Sequence, residues 1–175
     1  MTAPLGGGRT LGVTIELPVD IRAELDRARH RYGTHADDWD SHVTILAPIE
    51  ADDAAMDGVL AHLAAVAGRT RPIPILLRGT GTFRPVSPVV FIVVADGISG
   101  CEQLEAAVRS GDLGVEARFP YHPHVTLAHD VAEDVMDRAF EEMAGYEASF
   151  LAESMTLHEN IDGEWRIIRE FAFTA

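Results

Sequence analysis

Two short segments of the chain carry the same pattern of side chains that can do chemistry. Each reads His-Val-Thr followed by an aliphatic residue, with His42 and Thr44 in the first copy and His124 and Thr126 in the second. Because side chains alternate between the two faces of a strand, each copy presents an imidazole and a hydroxyl on one face and apolar groups on the other. Two histidines and two hydroxyl donors facing one groove suit acid–base chemistry on a phosphate.

This repetition is difficult to explain by chance. The chain has 8 histidines, 11 threonines and 15 valines among its 175 residues. From this composition roughly 0.04 copies of His-Val-Thr are expected, and two copies have a probability on the order of 0.001. The two motif histidines are 82 residues apart, about half the length of the chain. We therefore expect an internal duplication that produces two lobes related by a pseudo-twofold axis.

The elements around the two motifs follow the same order in each half of the chain: strand, helix, motif strand, helix, strand. This order predicts one bilobal domain over residues 1–175, with lobe-forming halves at about 11–83 and 88–173. The Pro-containing turn at 84–88 separates the halves, and the Gly-rich residues 1–10 are expected to form a flexible leader.

Hydrophobic periodicity and turn residues place the remaining elements. We expect the first motif strand to end at Pro48, and Asp20 and either Asp52 or Asp53 to cap the helices that flank it. Besides the two motif strands, the expected strands are 11–17, 73–83, 89–94, 148–157 and 164–173. The expected helices are 20–31, 52–67, 101–109 and 131–143.

Composition narrows the class of protein. Apolar residues make up 47% of the chain, enough to bury a core, and 28 acidic against 14 basic residues give a formal charge of −14. This charge opposes the wrapping of a long nucleic acid but permits a small nucleotide or one RNA end as a partner. The single cysteine, Cys101, excludes an internal disulfide. With no signal peptide or membrane-spanning run in the sequence, we expect a cytoplasmic protein that does not interact with membranes. We also expect it to be a monomer.

The segment 119–129, which reads FPYHPHVTLAH, and the first His-Val-Thr copy resemble the two motifs of the 2H phosphoesterase superfamily. This superfamily includes bacterial 2′-5′ RNA ligase-like proteins and 2′,3′-cyclic nucleotide phosphodiesterases. The resemblance covers nearly the whole chain in layout and is most specific at the two motifs. It implies an α+β, bilobal, duplicated fold with pseudo-twofold symmetry, in which two antiparallel sheets line a central groove and the helices lie outside.

The resemblance also implies roles for the motif residues. His42 and His124 would be catalytic, Thr44 and Thr126 would bind the phosphate, and no metal or organic cofactor would be needed. The implied reaction is hydrolysis of a 2′,3′-cyclic phosphate, or a reversible step at a 2′-5′ linkage, on a nucleotide or on an RNA end during RNA processing. By resemblance His42 donates a proton and His124 accepts one, although the near-symmetric motifs allow the reverse assignment.

Three alternatives remain open at the level of the sequence. The acidic composition favours a phosphodiesterase for a small non-RNA ligand such as an ADP-ribose cyclic phosphate. A catalytically idle nucleotide-binding module would keep the same groove. A metal site is a chemical alternative, because His122, His124, His129 and Asp130 are close in sequence. A metal does not explain why threonine recurs two residues after each motif histidine. Separately, His129 occupies a position where the superfamily often carries a basic residue such as arginine, so the phosphate contact that such a residue would make is in doubt.

Several residues near the motifs are candidates for contacts with a substrate. Phe83 and Arg84 come at the end of the strand that closes the first half, where a base can stack on Phe83 and a phosphate can meet Arg84. A core phenylalanine and a solvated arginine are the alternative for these two residues. Tyr121 precedes the second motif and is a third candidate for substrate binding. Trp39 and Trp165 are expected to be packing or rim aromatics rather than platforms for a base.

Overall fold

The computed structural model describes residues 8–34, 39–111, 113–114, 116–117 and 119–175. Within these ranges the chain folds into eight β-strands, four α-helices and one 3₁₀ turn. The strands are β1 (Gly8–Glu16), β2 (His42–Asp52), β3 (Ile73–Thr82), β4 (Val89–Asp96), β5 (His124–His129), β6 (Glu147–Ala152), β7 (Ser154–Ile161) and β8 (Glu164–Ala172). The helices are α1 (Val19–Arg31), α2 (Met56–Ala67), α3 (Ile98–Arg109) and α4 (Glu133–Glu142), and the 3₁₀ turn is Asp53–Ala55.

The strands form two four-stranded antiparallel sheets with equivalent strand orders. The first sheet has the order β2-β1-β7-β8, and the second has the order β5-β4-β3-β6. Each His-Val-Thr strand is an edge strand and pairs with the strand that precedes it in the chain, β1 for β2 and β4 for β5. The expected α+β fold with two antiparallel sheets is confirmed, and the equivalent orders reflect the expected pseudo-twofold relation.

The two sheets meet along their motif strands. β2 packs against β5, and each helix that precedes one motif strand packs against the other, α1 against β5 and α3 against β2. Side chains from both sheets and from all four helices join in one hydrophobic cluster. Val43 and Val125, the valines of the two motifs, are fully buried in it. Burial of each valine contributes about 1.5–3 kcal/mol, and a shift of one residue would expose it, so the register directs the motif histidine and threonine away from the core.

The membership of the sheets differs from the division of the sequence at 84–88. β3 lies before this turn but pairs with β4 after it, and β7 from the C-terminal half pairs with β1. Each sheet therefore combines strands from both halves. The single strand expected at 148–157 is wrong, because β6 and β7 are separate strands in different sheets, joined by Glu153 alone. No glycine or proline marks this crossing, so the turn signals that divide strands elsewhere are missing here.

Two strand boundaries also differ from expectation. β2 does not end at Pro48 but continues to Asp52. An edge strand tolerates proline, because one side of its backbone has no ladder partner that needs the missing N–H. β1 begins at Gly8, inside the expected leader, while residues 1–7 lie outside the described part of the chain.

The helices on either side of β2 begin without the expected side-chain caps. The N-cap position of α1 is Pro18, and Asp20 lies in the first turn, where its charge is favourable to the helix dipole. Asp52 and Asp53 precede or begin the 3₁₀ turn, and the N-cap position of α2 is Ala55. None of the described helices has the length and apolar character needed to cross a membrane.

Candidate active site

His42 is anchored at the start of the edge strand β2. Its Nδ1 donates a hydrogen bond of 2.6 Å to the backbone carbonyl of Asp40, and its Nε2 lies 3.2 Å from the hydroxyl oxygen of Thr44. The indole ring of Trp39 packs on the imidazole with ring centroids 4.3 Å apart. Because a carbonyl oxygen can only accept, Nδ1 carries the proton of the neutral ring and Nε2 is the basic atom.

His124 is anchored in the same way at the start of β5. Its Nδ1 donates a hydrogen bond of 2.7 Å to the backbone carbonyl of His122, again two residues earlier in the chain. The rings of Phe83 and Phe91 contact the imidazole, with centroids 5.0 and 5.1 Å from its own. The two motifs therefore hold their imidazoles in the same tautomer, and both leave Nε2 as the atom that can exchange a proton.

The surroundings lower the pKa of both motif histidines. Burial lowers the pKa of His42 to about 4, against the opposing effects of the bond to Asp40 and the carboxylate of Glu16. Burial also lowers the pKa of His124, while the bond to the carbonyl of His122 opposes this shift. Both rings are therefore neutral near pH 7 in the free protein, and a bound phosphate would favour their protonation.

A polar network lies beside His42, and its members come from strands β1 and β7. The Oε1 atom of Glu16 accepts hydrogen bonds from the Thr14 hydroxyl at 2.7 Å and from Nε2 of His158 at 3.0 Å. His158 is only 4% exposed. Burial alone would raise the pKa of Glu16, but the bonds from His158 and Thr14 outweigh it and hold the pKa below its usual value. Sequence analysis missed this network; the alternation of Thr14 and Glu16 in a strand beside the motif was the available signal.

The second sheet places phenyl rings where the first places this network. Phe91 lies across the ladder from Thr126, as Thr14 lies across from Thr44. The next strand carries Gly81 opposite Phe91, and a Cβ at Gly81 would lie 2.5 Å from Cε2 of that ring. Glycine at this position therefore lets the Phe91 ring lie across β3. The two motif histidines have matching anchors and both contact aromatic rings, but only His42 also has a polar network with a carboxylate beside it.

The sequence model of the 2′-5′ RNA ligase superfamily matches residues 17–164, which include both motifs and the strands that hold them. The chain belongs to this superfamily. The expected membership of the 2H phosphoesterase superfamily is thereby confirmed over most of the chain.

Individual relatives agree with membership of the 2′-5′ RNA ligase superfamily. A protein of Oceanobacillus iheyensis, whose name places it among the phosphoesterases, is 24% identical over 165 residues, covering 91% of this chain and 95% of its own. One of Geobacillus kaustophilus with a similar name is 28% identical over 120 residues, 69% of each chain. The crystal structure of Escherichia coli LigT complexed with 3′-AMP has the same fold, with a TM-score of 0.74 at 21% identity over 96% of this chain and 99% of that one.

The other candidate contact residues have definite places in this superfamily member. Phe83 packs on Phe91 with centroids 4.4 Å apart and contacts the His124 ring, so it lies in the candidate site. Arg84 is near the site, but its Nη1 pairs with two carboxylates of α4, Glu133 at 3.1 Å and Asp137 at 2.9 Å. A phosphate would have to compete with these carboxylates for the guanidinium group.

Tyr121 connects the two motif strands. Its hydroxyl donates a hydrogen bond of 2.7 Å to the backbone carbonyl of Thr44, and burial raises the pKa of this phenol. The bond ties the segment that leads into β5 directly to β2. The structure therefore gives Tyr121 a role in holding the motifs together, which is distinct from the expected contact with a substrate.

Replacing Tyr121 by phenylalanine tests this role. We expect Tyr121→Phe to lower the free energy of unfolding by about 1 kcal/mol, because the Thr44 carbonyl loses its partner, and to change KM less than about twofold. Chemical denaturation and steady-state kinetics measure the two effects. Tyr146→Phe is a matched control, since the buried Tyr146 hydroxyl has no hydrogen-bond partner among the described residues and its loss should not destabilise. A raised KM at unchanged stability would instead place the Tyr121 hydroxyl on the substrate.

The histidines after and before the second motif do not form a metal centre. His129 pairs through Nε2 with the carboxylate of Asp130 at 3.1 Å, and the rings of His122 and His124 are stacked with centroids 6.3 Å apart. Among the described residues, no three His, Cys, Asp or Glu side chains are grouped so that they could hold a metal ion. These four residues are thus close in space as two pairs, and they do not form a group of three ligands.

The two tryptophans pack on each other beside His42. The rings of Trp39 and Trp165 are stacked with centroids 3.9 Å apart, and Trp39 also contacts the His158 ring edge-on at 5.2 Å. Trp39 lies directly over Gly12, where a Cβ would come within 2.8 Å of its Cη2 atom. Because the rings of Trp165 and His42 both pack on the indole, Trp39 is a packing residue that covers the His42 ring, in agreement with expectation.

Proposed function

We propose that the chain is a phosphoesterase that opens a 2′,3′-cyclic phosphate on a nucleotide or an RNA end, or acts reversibly on a 2′-5′ linkage there. The observation that carries this proposal is the pair of identically anchored imidazoles on edge strands that pack against each other. Each presents a basic Nε2 two residues before a threonine hydroxyl. Family membership and the names of the relatives support phosphate ester chemistry in general.

In the proposed hydrolysis, the two Nε2 atoms divide the proton transfers between them. One neutral imidazole removes a proton from a water molecule, whose oxygen forms a new bond to phosphorus. The other, protonated, imidazole gives its proton to the ribose oxygen whose bond to phosphorus breaks. The products are a phosphate monoester and a free hydroxyl, and exchange with solvent restores the starting protonation. Thr44 and Thr126 donate hydrogen bonds to the non-bridging oxygens, which carry the developing charge.

The proposed substrate is small, or is the end of a strand. The formal charge of −14 opposes many phosphate contacts along an RNA chain. Escherichia coli LigT has been crystallised with 3′-AMP, with ATP and with NADP⁺, all of which are small nucleotides. An ADP-ribose cyclic phosphate is a second candidate on the same grounds. The proposed reaction uses only the four motif side chains and includes no metal or organic cofactor.

A substrate panel tests the proposal. The purified protein is incubated with 2′,3′-cyclic nucleotides, an ADP-ribose cyclic phosphate and 2′-5′ linked dinucleotides, and the phosphate isomer of each product is identified. We expect turnover of at least one cyclic phosphate, with weak dependence on salt if few phosphates are contacted. Tight binding of a cyclic nucleotide without turnover would contradict the proposal and identify a nucleotide-binding module.

The pH dependence of kcat/KM follows from the lowered pKa values. Below the lower pKa the accepting histidine is protonated, and above the higher pKa the donating histidine has lost its proton. Because burial shifts both values below 6.5, and that of His42 to about 4, we expect a bell with its maximum on the acidic side of pH 6.5. The kcat profile should lie at higher pH, since bound phosphate favours both imidazolium forms. A kcat/KM maximum above pH 7 would contradict this account.

A further inference from the structure

The two motif histidines differ in the residue directly across the ladder. In the first sheet, the partner of His42 on the neighbouring strand is Glu16. In the second sheet, the equivalent partner of His124 is Val93. The two positions correspond, because each lies two residues beyond the partner of the motif threonine. A carboxylate therefore lies beside one of the imidazoles and an aliphatic side chain beside the other.

Glu16 is held in a defined orientation. Its Oε1 accepts bonds from Thr14 and His158, and its Oε2 lies 3.7 Å from Nη1 of Arg22. The Thr14 hydroxyl lies 3.0 Å from Nε2 of His158, so the three side chains form a closed triangle of contacts. A buried histidine and a threonine thus hold this carboxylate, and neither proton transfer of the proposed reaction uses either of them.

We propose that Glu16, supported by Thr14 and His158, is a positioning residue that stabilises the imidazolium form of His42 during the reaction, whereas His124 acts without a carboxylate. This inference rests on the proposed function, because it assigns a use to the protonated state of His42. A carboxylate close to an imidazole favours its charged form, and partial burial strengthens the attraction.

The charges around His42 come from several elements, and Glu16 is the negative one across the ladder. From β7 the His158 ring, and from α1 Arg29, both oppose a proton on His42. Arg22 of α1 lies between the carboxylates of Glu16 and Asp40, at 3.7 and 3.9 Å. The Asp40 backbone carbonyl accepts the Nδ1 proton and favours the imidazolium. Glu16 is therefore one of two groups that favour a protonated His42, the other being the Asp40 carbonyl, against burial and two cationic or ionisable neighbours.

The substitution Glu16→Gln tests this role directly, because glutamine keeps the shape and an acceptor for Thr14 but removes the charge. Proton affinities of His42 and His124 are measured by NMR titration of the imidazole rings from pH 7.5 to pH 2, so that a midpoint below that of the wild type is still covered. We expect the affinity of His42 for a proton to fall about tenfold, a shift of about one pH unit, while that of His124 does not move. Glu16→Asp keeps the charge and should restore most of the affinity.

Glu50→Gln is the matched control. Glu50 lies on the same sheet and also accepts a hydrogen bond from a threonine hydroxyl, that of Thr10 at 2.6 Å, but it is not opposite a motif histidine. Its substitution removes one charge of the same kind and should leave both titrations unchanged. If His42 titrates alike in the Glu16→Gln and Glu50→Gln variants, or if both motif histidines shift equally on loss of Glu16, the proposed role is wrong.

Kinetics supply an independent readout on a substrate that the panel identifies. In Glu16→Gln we expect kcat to fall about tenfold with KM within about threefold of wild type, and one limb of the pH profile to move to lower pH. Unchanged limbs would overturn the positioning role while leaving the phosphoesterase proposal intact. If no substrate is turned over, the NMR titrations still decide whether Glu16 stabilises the His42 imidazolium, so the two proposals can fail separately.

Discussion

Replacing His42 or His124 by alanine should reduce kcat on a 2′,3′-cyclic nucleotide by about 10²–10⁴-fold in either variant. Each substitution removes one of the two proton transfers. The remaining histidine cannot perform both, because the reaction needs one neutral imidazole to accept a proton and one protonated imidazole to donate one. Both side chains are half-buried rather than fully buried, so most of the stability should remain. Steady-state kinetics, with thermal denaturation to verify folding, measure both expectations.

His122→Ala is the matched control for this experiment. His122 is exposed, precedes His124 by two residues and contributes its backbone carbonyl to the anchor of that ring, a contact that alanine retains. We expect its kcat to stay within a few fold of wild type. Near-normal turnover in either motif variant would show that the two imidazoles are not the acid–base pair and would overturn the proposed mechanism.

Replacing the motif threonines by valine should have the next largest effect. We expect Thr44→Val and Thr126→Val each to lower kcat/KM by about 10²-fold, the cost of one lost donor to a developing negative charge. Valine keeps the branched shape, so the strand and its core face should be retained. In the free protein the Thr44 hydroxyl is 3.2 Å from Nε2 of His42, so Thr44→Val also removes a partner of the basic atom and should alter the pH profile.

Serine substitutions distinguish the contribution of the threonine hydroxyl from that of the threonine methyl group. Thr44→Ser and Thr126→Ser keep the donor, and we expect them to retain kcat/KM within about tenfold of wild type. The valine and serine variants are compared by kcat/KM on the same cyclic nucleotide. Equal losses for serine and valine would mean that packing of the methyl group, and not donation to the phosphate, accounts for the threonine in each motif.

Local sequence patterns were sufficient for the motif strands and for their orientation. The alternation of His42, Val43 and Thr44 required only that one face be apolar, and the structure buries Val43 completely while the flanking polar side chains stay half-buried. The same held for the second motif, and two such copies implied two related sheets. These features depend on neighbours one or two residues apart, which a pattern in the sequence records directly.

Features that depend on distant strands could not be determined in this way. At Glu153 the chain passes from the second sheet to the first, because β6 and β7 belong to different sheets. No glycine or proline in the local sequence indicates this change of sheet. Likewise, nothing in the local sequence distinguishes Glu16 or Val93 from other strand residues. Only the strand pairing shows that Glu16 lies opposite one motif histidine and Val93 opposite the other. His158 lies far from Glu16 in sequence, and only β7 beside β1 brings the two together.

The sequence by itself therefore determined the two motifs, their likeness and the α+β class. The tertiary structure decided their difference. Backbone anchors two residues away are a local property, so both motifs repeat them, whereas the charge around each imidazole comes from side chains on other strands. Pairing of β1 with β2 and β7 places a carboxylate and a buried histidine beside His42, and pairing of β4 with β3 places two phenyl rings beside His124. Electrostatic environment is a property of the assembled sheets, which is why two nearly identical motifs become two different sites.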